Sequence, residues 1–269
     1  KKHVAIVGAG PAGLSAARVA NLRGHRVTLI EQGSKIGGQM LLAAKAPGRD
    51  SFEDFLYFSE NEIERLGIEL LLDTQATPEM LVELKPDVVV IATGSSPRPL
   101  LEVEGADSGH VVQGWDVLSG KEKVGENVAL CSEEDYFETP NIAEYMAAQG
   151  KKVTIFHKWS HIGQDIDRYS YGTVLQRLEE NGVNIVPGYR LARVDGDRVT
   201  CISCYSGAEK SFDGFDSVVL VGGSVPESEL YYTLKDNYPF EKVYISGAAW
   251  LPRKMAEATQ SGATIAMDI

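Results

Sequence analysis

Between residues 3 and 31 the spacing of apolar positions changes twice. HVAIV, residues 3–7, is a short apolar, β-branched run of the kind buried in a parallel sheet. Beyond it the apolar and small residues fall at Leu14, Ala17, Val19, Ala20 and Leu22. That set includes an i, i+3 stripe and predicts a helix, which Gly24 stops before a second strand, RVTLIE.

The same alternation recurs further along. VVVIATGSSPRP, residues 88–99, predicts a buried strand ending in Ala92-Thr93-Gly94. After residue 126 the order is strand NVALC, a helix around NIAEYMAAQG, strand KVTIF and a helix TVLQRLEENG, with Gly150 and Gly182 where helices end. Short strands and turns follow through VDGDRVTCISCYSGAEKSFD to a return strand, SVVLVGG. Near the end, VYISGAAWLPRKMAEATQSGATIAM predicts a strand, a glycine turn and a helix opened by Pro252.

The junction of the first strand and helix carries Gly8-x-Gly10-x-x-Gly13, and an acid, Glu31, closes the second strand. Each residue type has a task if a nucleotide binds there. Gly8 permits the tight turn, Gly10 lets the backbone approach a pyrophosphate, and Gly13 lets helix and strand pack closely. Pro11 and Ala12 open the helix, whose unpaired N–H groups and positive dipole end favour phosphate; Glu31, followed by Gln32, can accept from a ribose hydroxyl. Gly37-Gly38-Gln39 lies where a second loop passes the pyrophosphate. The alternative, that the glycines only make a turn, leaves the acid and its spacing unexplained.

The 269 residues are 43% hydrophobic and 24% charged, which is ordinary for a globular protein. A net charge of -12 without clustered Lys and Arg argues against a nucleic-acid or anionic-membrane surface. No apolar run is long enough to span a bilayer. Three cysteines do not make a secreted disulfide framework, so a reducing cytoplasm is expected. The first residue is Lys and a strand starts about two residues later, which suggests a fragment or processed chain.

Taken in order, VAIVGAGPAGLSAARV, EQGSKIGGQ, IATGSSPR, VGENVAL, AEYMAAQGKKVTIF and SGAAWLPRKMAEAT resemble the glutathione-reductase-like flavoproteins. The resemblance is to the region found in bacterial NADH:flavin oxidoreductases such as 2,4-dienoyl-CoA reductase, trimethylamine dehydrogenase and histamine dehydrogenase. It implies an α/β fold of two interleaved Rossmann-like domains, ββα units plus a β-meander, the second with a degenerate site. An adenine-nucleotide (FAD or ADP) domain would comprise residues 1–106 and 225–269, and an inserted NAD(P)-binding-like domain residues 107–224. The resemblance further implies cofactor contacts at Ala92, Thr93, Gly94, Gly247, Ala248 and Arg253. Members of this branch also carry a (β/α)8 (TIM) barrel with FMN and a four-cysteine 4Fe-4S motif, neither of which these residues supply. A homo-oligomer and an electron carrier such as an electron-transfer flavoprotein are the partners it suggests.

The expected second site departs from the pattern. After NVAL the chain offers Cys131-Ser132-Glu133-Glu134-Asp135 where glycines would be needed. Two like charges about 4 Å apart cost on the order of 4 kcal/mol at an effective dielectric near 20, enough to lose ordinary nicotinamide binding. These acids read as a solvated loop. Losing the glycines resembles the amine dehydrogenases more than 2,4-dienoyl-CoA reductase, and Ala248 stands where flavin-binding relatives usually have Asp. ADP rather than FAD is therefore the expected ligand.

Other residue types give weaker leads. Cys201-x-x-Cys204 lies in a β-rich segment rather than at a helix N-terminus, and with Cys131 reads as structural. His3, His25, His110, His157 and His161 lack metal spacing. Phe52, Phe55, Tyr57, Phe58, Trp115 and Trp159 read as core or interface packing. No nucleophile–base pair is evident and no catalytic residue is nominated. The sequence thus points to the ADP-binding module of an amine-dehydrogenase-like flavin and iron–sulfur enzyme. The rivals are an FAD-dependent NAD(P)H oxidoreductase and a nucleotide-binding scaffold without redox chemistry.

Overall fold

The structure, a computed structural model, describes residues 1–100 and 102–269. Its contacts divide into two compact units.

The first unit comprises Lys1–Leu41, Asp50–Ser96 and Ser224–Ile269. Its five-stranded parallel sheet has the order Lys242–Ile245, Val88–Ile91, His3–Val7, Arg26–Ile30, Glu69–Leu71. The run at residues 3–7 is central, with Val4 opposite both Val27 and Val88. Because successive side chains leave a strand on opposite faces, one apolar run serves two cores. Val4 and Ile6 pack with Leu14, Ala17 and Ala266 on one face, while Ala5 and Val7 pack with Leu81 and Leu234 on the other. Helix Pro11–Leu22 lies against helix Met255–Asp268 at very short range, since a β-carbon on Gly262 would stand 2.0 Å from the Ala12 carbonyl oxygen.

The second unit comprises Leu42–Arg49 and Pro97–Gly223. Its parallel sheet runs Val111–Gln113, Ser217–Val221, Asn127–Ser132, Lys152–His157, Asn184–Pro187. Val128, Leu130 and Ile155 pack with Ile142, Met146 and Leu178 from helices Glu138–Ala147 and Arg168–Glu180. On the other face an antiparallel meander, Tyr189–Asp195, Arg198–Ser203 and Glu209–Phe212, covers Ala129, Cys131 and Phe156. Phe156 packs 4.8 Å from Phe212 and 5.8 Å from Phe215 between ring centres. Parallel sheets with helices, in two nucleotide-fold units, are the α/β architecture that the sequence leads one to expect.

Several boundaries move for local reasons. The helix expected around residues 141–150 starts at Glu138, because Pro140 lies in the first turn, where a missing N–H costs nothing. The helix expected from residue 173 starts at Arg168, since the Asp167 carboxylate accepts from the amides of Tyr169 and Ser170. The last helix begins at Met255 rather than at Pro252. The aromatic residues 52–58, expected in core or interface packing, divide between inward and exposed positions. Helix Ser51–Leu66 packs Phe55 inward but leaves Tyr57 70% and Phe58 49% exposed. Trp159 is likewise 45% exposed, beneath the Lys158 ammonium at 5.0 Å. Among the described residues no helix is long and apolar enough to cross a membrane.

Candidate nucleotide site

The end of the first strand is fixed before any ligand enters. Gly8 donates to the Ile30 carbonyl at 2.8 Å and sits at φ +101°, a region that side chains disfavour. A β-carbon on it would stand 2.3 Å from the Ala92 carbonyl oxygen, and one on Gly13 would stand 1.9 Å from the Gly8 carbonyl oxygen. Both glycines are therefore required by packing, independently of a ligand. Gly10 differs: as the N-cap it has extended backbone, and a β-carbon there would meet nothing within 4 Å. That open space adjoins the first-turn amides, which have no intrahelical acceptors, and Pro11 takes the first helical position, where its missing N–H costs nothing.

Glu31 is bound to the same loop. One carboxylate oxygen accepts from the Ala9 amide and the other from the Gly33 amide, both at 2.8 Å. A carboxylate oxygen has a second lone pair, so each can still accept from a hydroxyl. The carbonyl of Ala9 accepts from the Gly37 amide at 2.8 Å, drawing residues 37–38 beside the glycine loop, and a β-carbon on Gly38 would lie 3.2 Å from the Gly10 α-carbon. Gly247 reaches the other side, where its β-carbon would lie 2.6 Å from that of Ala12. Gly8, Gly10, Ala12, Gly13, Glu31, Gly37, Gly38, Ala92 and Gly247 thus surround one helix N-terminus, with Pro11 its first residue.

Gln39, Thr93 and Gly94 form a second node. The Gln39 amide donates to the Ser95 hydroxyl at 2.8 Å, the Thr93 hydroxyl donates to the Glu227 carbonyl, and the Gly94 carbonyl accepts from the Glu227 amide at 3.0 Å. Ala248 is half-buried in the turn Gly247–Ala249. Gln32 and Arg253 are exposed, and no hydrogen bond or ion pair joins either to the loop among the described residues. Ala9, whose amide and carbonyl tie Glu31 and Gly37 together, gives no signal in the sequence because its side chain takes no part.

The corresponding corner of the second unit is filled by its own side chains. The acids at residues 133–135 are not a solvated loop; each has a separate set of partners. The Glu133 carboxylate accepts from Arg98 at 2.7 Å and from Lys158 at 3.4 Å. The Glu134 carboxylate accepts from the Tyr136 amide, and from the Thr139 amide at 3.1 Å and hydroxyl at 3.2 Å. Asp135 meets buried His157 at 3.0 Å, and the other His157 ring nitrogen faces the Ser132 hydroxyl at 3.3 Å. Ser132 in turn contacts the Thr139 hydroxyl.

Electrostatics follow these contacts. Burial opposes ionisation of Glu133, but Arg98 and Lys158 outweigh it and hold the carboxyl below its ordinary value. Burial pushes the Glu134 carboxyl up against its hydrogen bonds. Burial and the neighbouring Glu134 push Glu138 up to about 7, although the Trp115 indole N–H donates to it at 2.9 Å. Burial also pushes the Cys201 thiol up to about 12, unlike a nucleophilic thiolate. Arg98 lies just beyond the ATG segment, but its partner Glu133 is 35 positions away, so spacing alone could not pair them.

The chain matches the pyridine nucleotide-disulphide oxidoreductase family over residues 2–242. It is 37% identical over 246 residues to an N,N-dimethylglycine/sarcosine dehydrogenase of Chromohalobacter salexigens, covering 88% of this chain and 35% of that one. It is 33% identical over 273 residues to an NADH oxidase of Thermoanaerobacter brockii, covering all of this chain and 41% of that one. The solved structure of a histamine dehydrogenase from a Rhizobium species superposes with a TM-score of 0.90 at 26% identity, over 99% of this chain and 44% of that one. The chain therefore spans less than half the length of these relatives.

Proposed function

The chain belongs to the pyridine nucleotide-disulphide oxidoreductase family, and we propose that it binds an adenine nucleotide, ADP, in its first unit as a structural ligand within a larger amine-dehydrogenase-like enzyme. The coarser identity stands on the relatives: this is a nucleotide-binding region of flavin-dependent oxidoreductases related to amine dehydrogenases and NADH oxidase. In the finer reading, the first unit holds the nucleotide and the second keeps a nucleotide fold without its ligand. Substrate oxidation belongs to FMN and a 4Fe-4S cluster on polypeptide outside this chain. An electron carrier accepts the electrons, in a cytoplasmic homo-oligomer.

The observation that carries this reading is the contrast between the two helix N-termini. At Gly10 the space a side chain would fill is open beside first-turn amides that have no hydrogen-bond partner among the described residues, whereas at Thr139 the first-turn amide and the hydroxyl already hold the Glu134 carboxylate. The first donor set fits a diphosphate and ribose: amides for the phosphate oxygens, and Glu31 for the sugar hydroxyls. When bound, the nucleotide supplies no redox chemistry in this reading. It ties the Ala9–Glu31–Gly37 loop to the helix.

A second reading, complete FAD reduced by a nicotinamide nucleotide, is favoured by the NADH oxidase relative that spans the whole chain and by the Gly37-Gly38 and Thr93-Gly94 segments. One experiment separates them. The visible spectrum of the purified chain is recorded, the chain is denatured, and the released small molecule is identified by mass. ADP with no flavin absorbance supports the first reading. FAD overturns it in favour of the second.

A further inference from the structure

We propose that Glu133 and Glu134 are specificity-determining residues that fill the phosphate corner of the second unit from within and so exclude diphosphate-bearing dinucleotides. This rests on the reading that only the first unit takes a nucleotide.

Five donors converge on the two carboxylates: the amides of Tyr136 and Thr139, the Thr139 hydroxyl, the Arg98 guanidinium and the Lys158 ammonium. Together these are a donor set for a doubly charged oxyanion, and two carboxylates supply the same charge as a diphosphate diester. Glu134 is no ordinary helix cap. The N-cap residue is Phe137, whose side chain has no acceptor, and Glu134 reaches the helix from three positions earlier.

The cations point independently to an anion. Arg98 is anchored apart from Glu133, its Nε donating to the Gly222 carbonyl at 2.8 Å and its backbone amide to the Gly223 carbonyl at 2.9 Å. Removing Glu133 therefore leaves a fixed guanidinium facing the place it occupied. Glu133 and Glu134 thus do opposite work from the glycines of an open site. Instead of clearing space for phosphate, they occupy its donors.

The test is calorimetric titration of the full chain with inorganic pyrophosphate and with NADH, the first site saturated with ADP. Wild type is expected to bind pyrophosphate only weakly and NADH not at all. The Glu133→Ala/Glu134→Ala double variant is expected to bind pyrophosphate at least about tenfold more tightly than wild type, with the gain lost at high salt and on adding Arg98→Gln. Glu133→Ala alone leaves the Glu134 contacts intact, so it keeps the fold; it should gain about threefold, again dependent on Arg98. Absence of any Arg98-dependent gain in the folded single variant overturns the inference while leaving the ADP reading standing. NADH binding by wild type overturns both.

Discussion

The two units solve the same local problem in opposite ways. Each runs a buried parallel strand into a helix whose first amides lack intrahelical partners. In the first, Gly10 leaves the approach open, and the acid that follows the second strand, Glu31, braces the loop through the amides of Ala9 and Gly33. In the second, the acids lie directly after strand Asn127–Ser132, and Glu134 takes the first-turn amide of Thr139 and the preceding amide of Tyr136. A carboxylate near a helix N-terminus therefore has no single meaning. In the proposed reading, Glu31 accompanies a ligand and Glu134 replaces one, and the amides each holds are what separate them.

The strongest way to break the comparison is to remove the glycines that packing demands. In Gly13→Ala the new methyl would fall 1.9 Å from the Gly8 carbonyl oxygen, a backbone atom with no rotamer to yield. We expect destabilisation of about 3 kcal/mol or more, with the first unit losing order before the second, measured by denaturant unfolding and by amide exchange. Gly10→Val sharpens the same contrast by sparing the fold. The position has extended backbone and open space, so thermal stability without ligand should change by no more than about 0.5 kcal/mol. ADP affinity should nonetheless fall at least about a hundredfold, equivalent to about 2.7 kcal/mol, because the valine fills the approach to the phosphates. Full affinity in a folded Gly10→Val variant would place the nucleotide elsewhere.

Much of the architecture was legible because it rests on short-range pattern. The run at residues 3–7 reads as a buried strand from its apolar continuity, and both of its faces are indeed covered. Gly8 reads as a tight turn and has φ +101°, and Gly13 reads as a point of close helix–strand packing and has no room for a β-carbon. The second corner was only half legible. The loss of glycines after residue 130 is plain in the sequence, but the acids that replace them read as exposed, because their partners are remote. Arg98, Lys158 and His157 come from other strands or connections, between 22 and 35 positions away. Helix starts failed for a related reason. Thr139 and Pro140 fit a first turn only once the Glu134 carboxylate is known to accept from the Thr139 amide.

The smallest expected effect tests what that closure costs the second unit. Glu138 begins the same helix, and burial together with neighbouring Glu134 holds its carboxyl at about 7 against an ordinary 4.5. The folded chain thus keeps a proton that the unfolded chain releases near 4.5. Stability should fall as pH rises from about 4.5 to about 7 and level off above, with a ceiling on the order of 3 kcal/mol and a measurable part of about 2 kcal/mol. Glu138→Gln keeps the acceptor for the Trp115 indole but cannot ionise, so it should flatten this decline. Relative to wild type it should stabilise the unit at pH 8 and make little difference at pH 4. Urea unfolding at both pH values, followed by Trp115 fluorescence with Trp115→Phe as the blank, reads the difference. An equal slope in both proteins would mean that burial and Glu134 do not hold the proton on Glu138, and the self-filled corner would then be electrostatically relaxed rather than crowded.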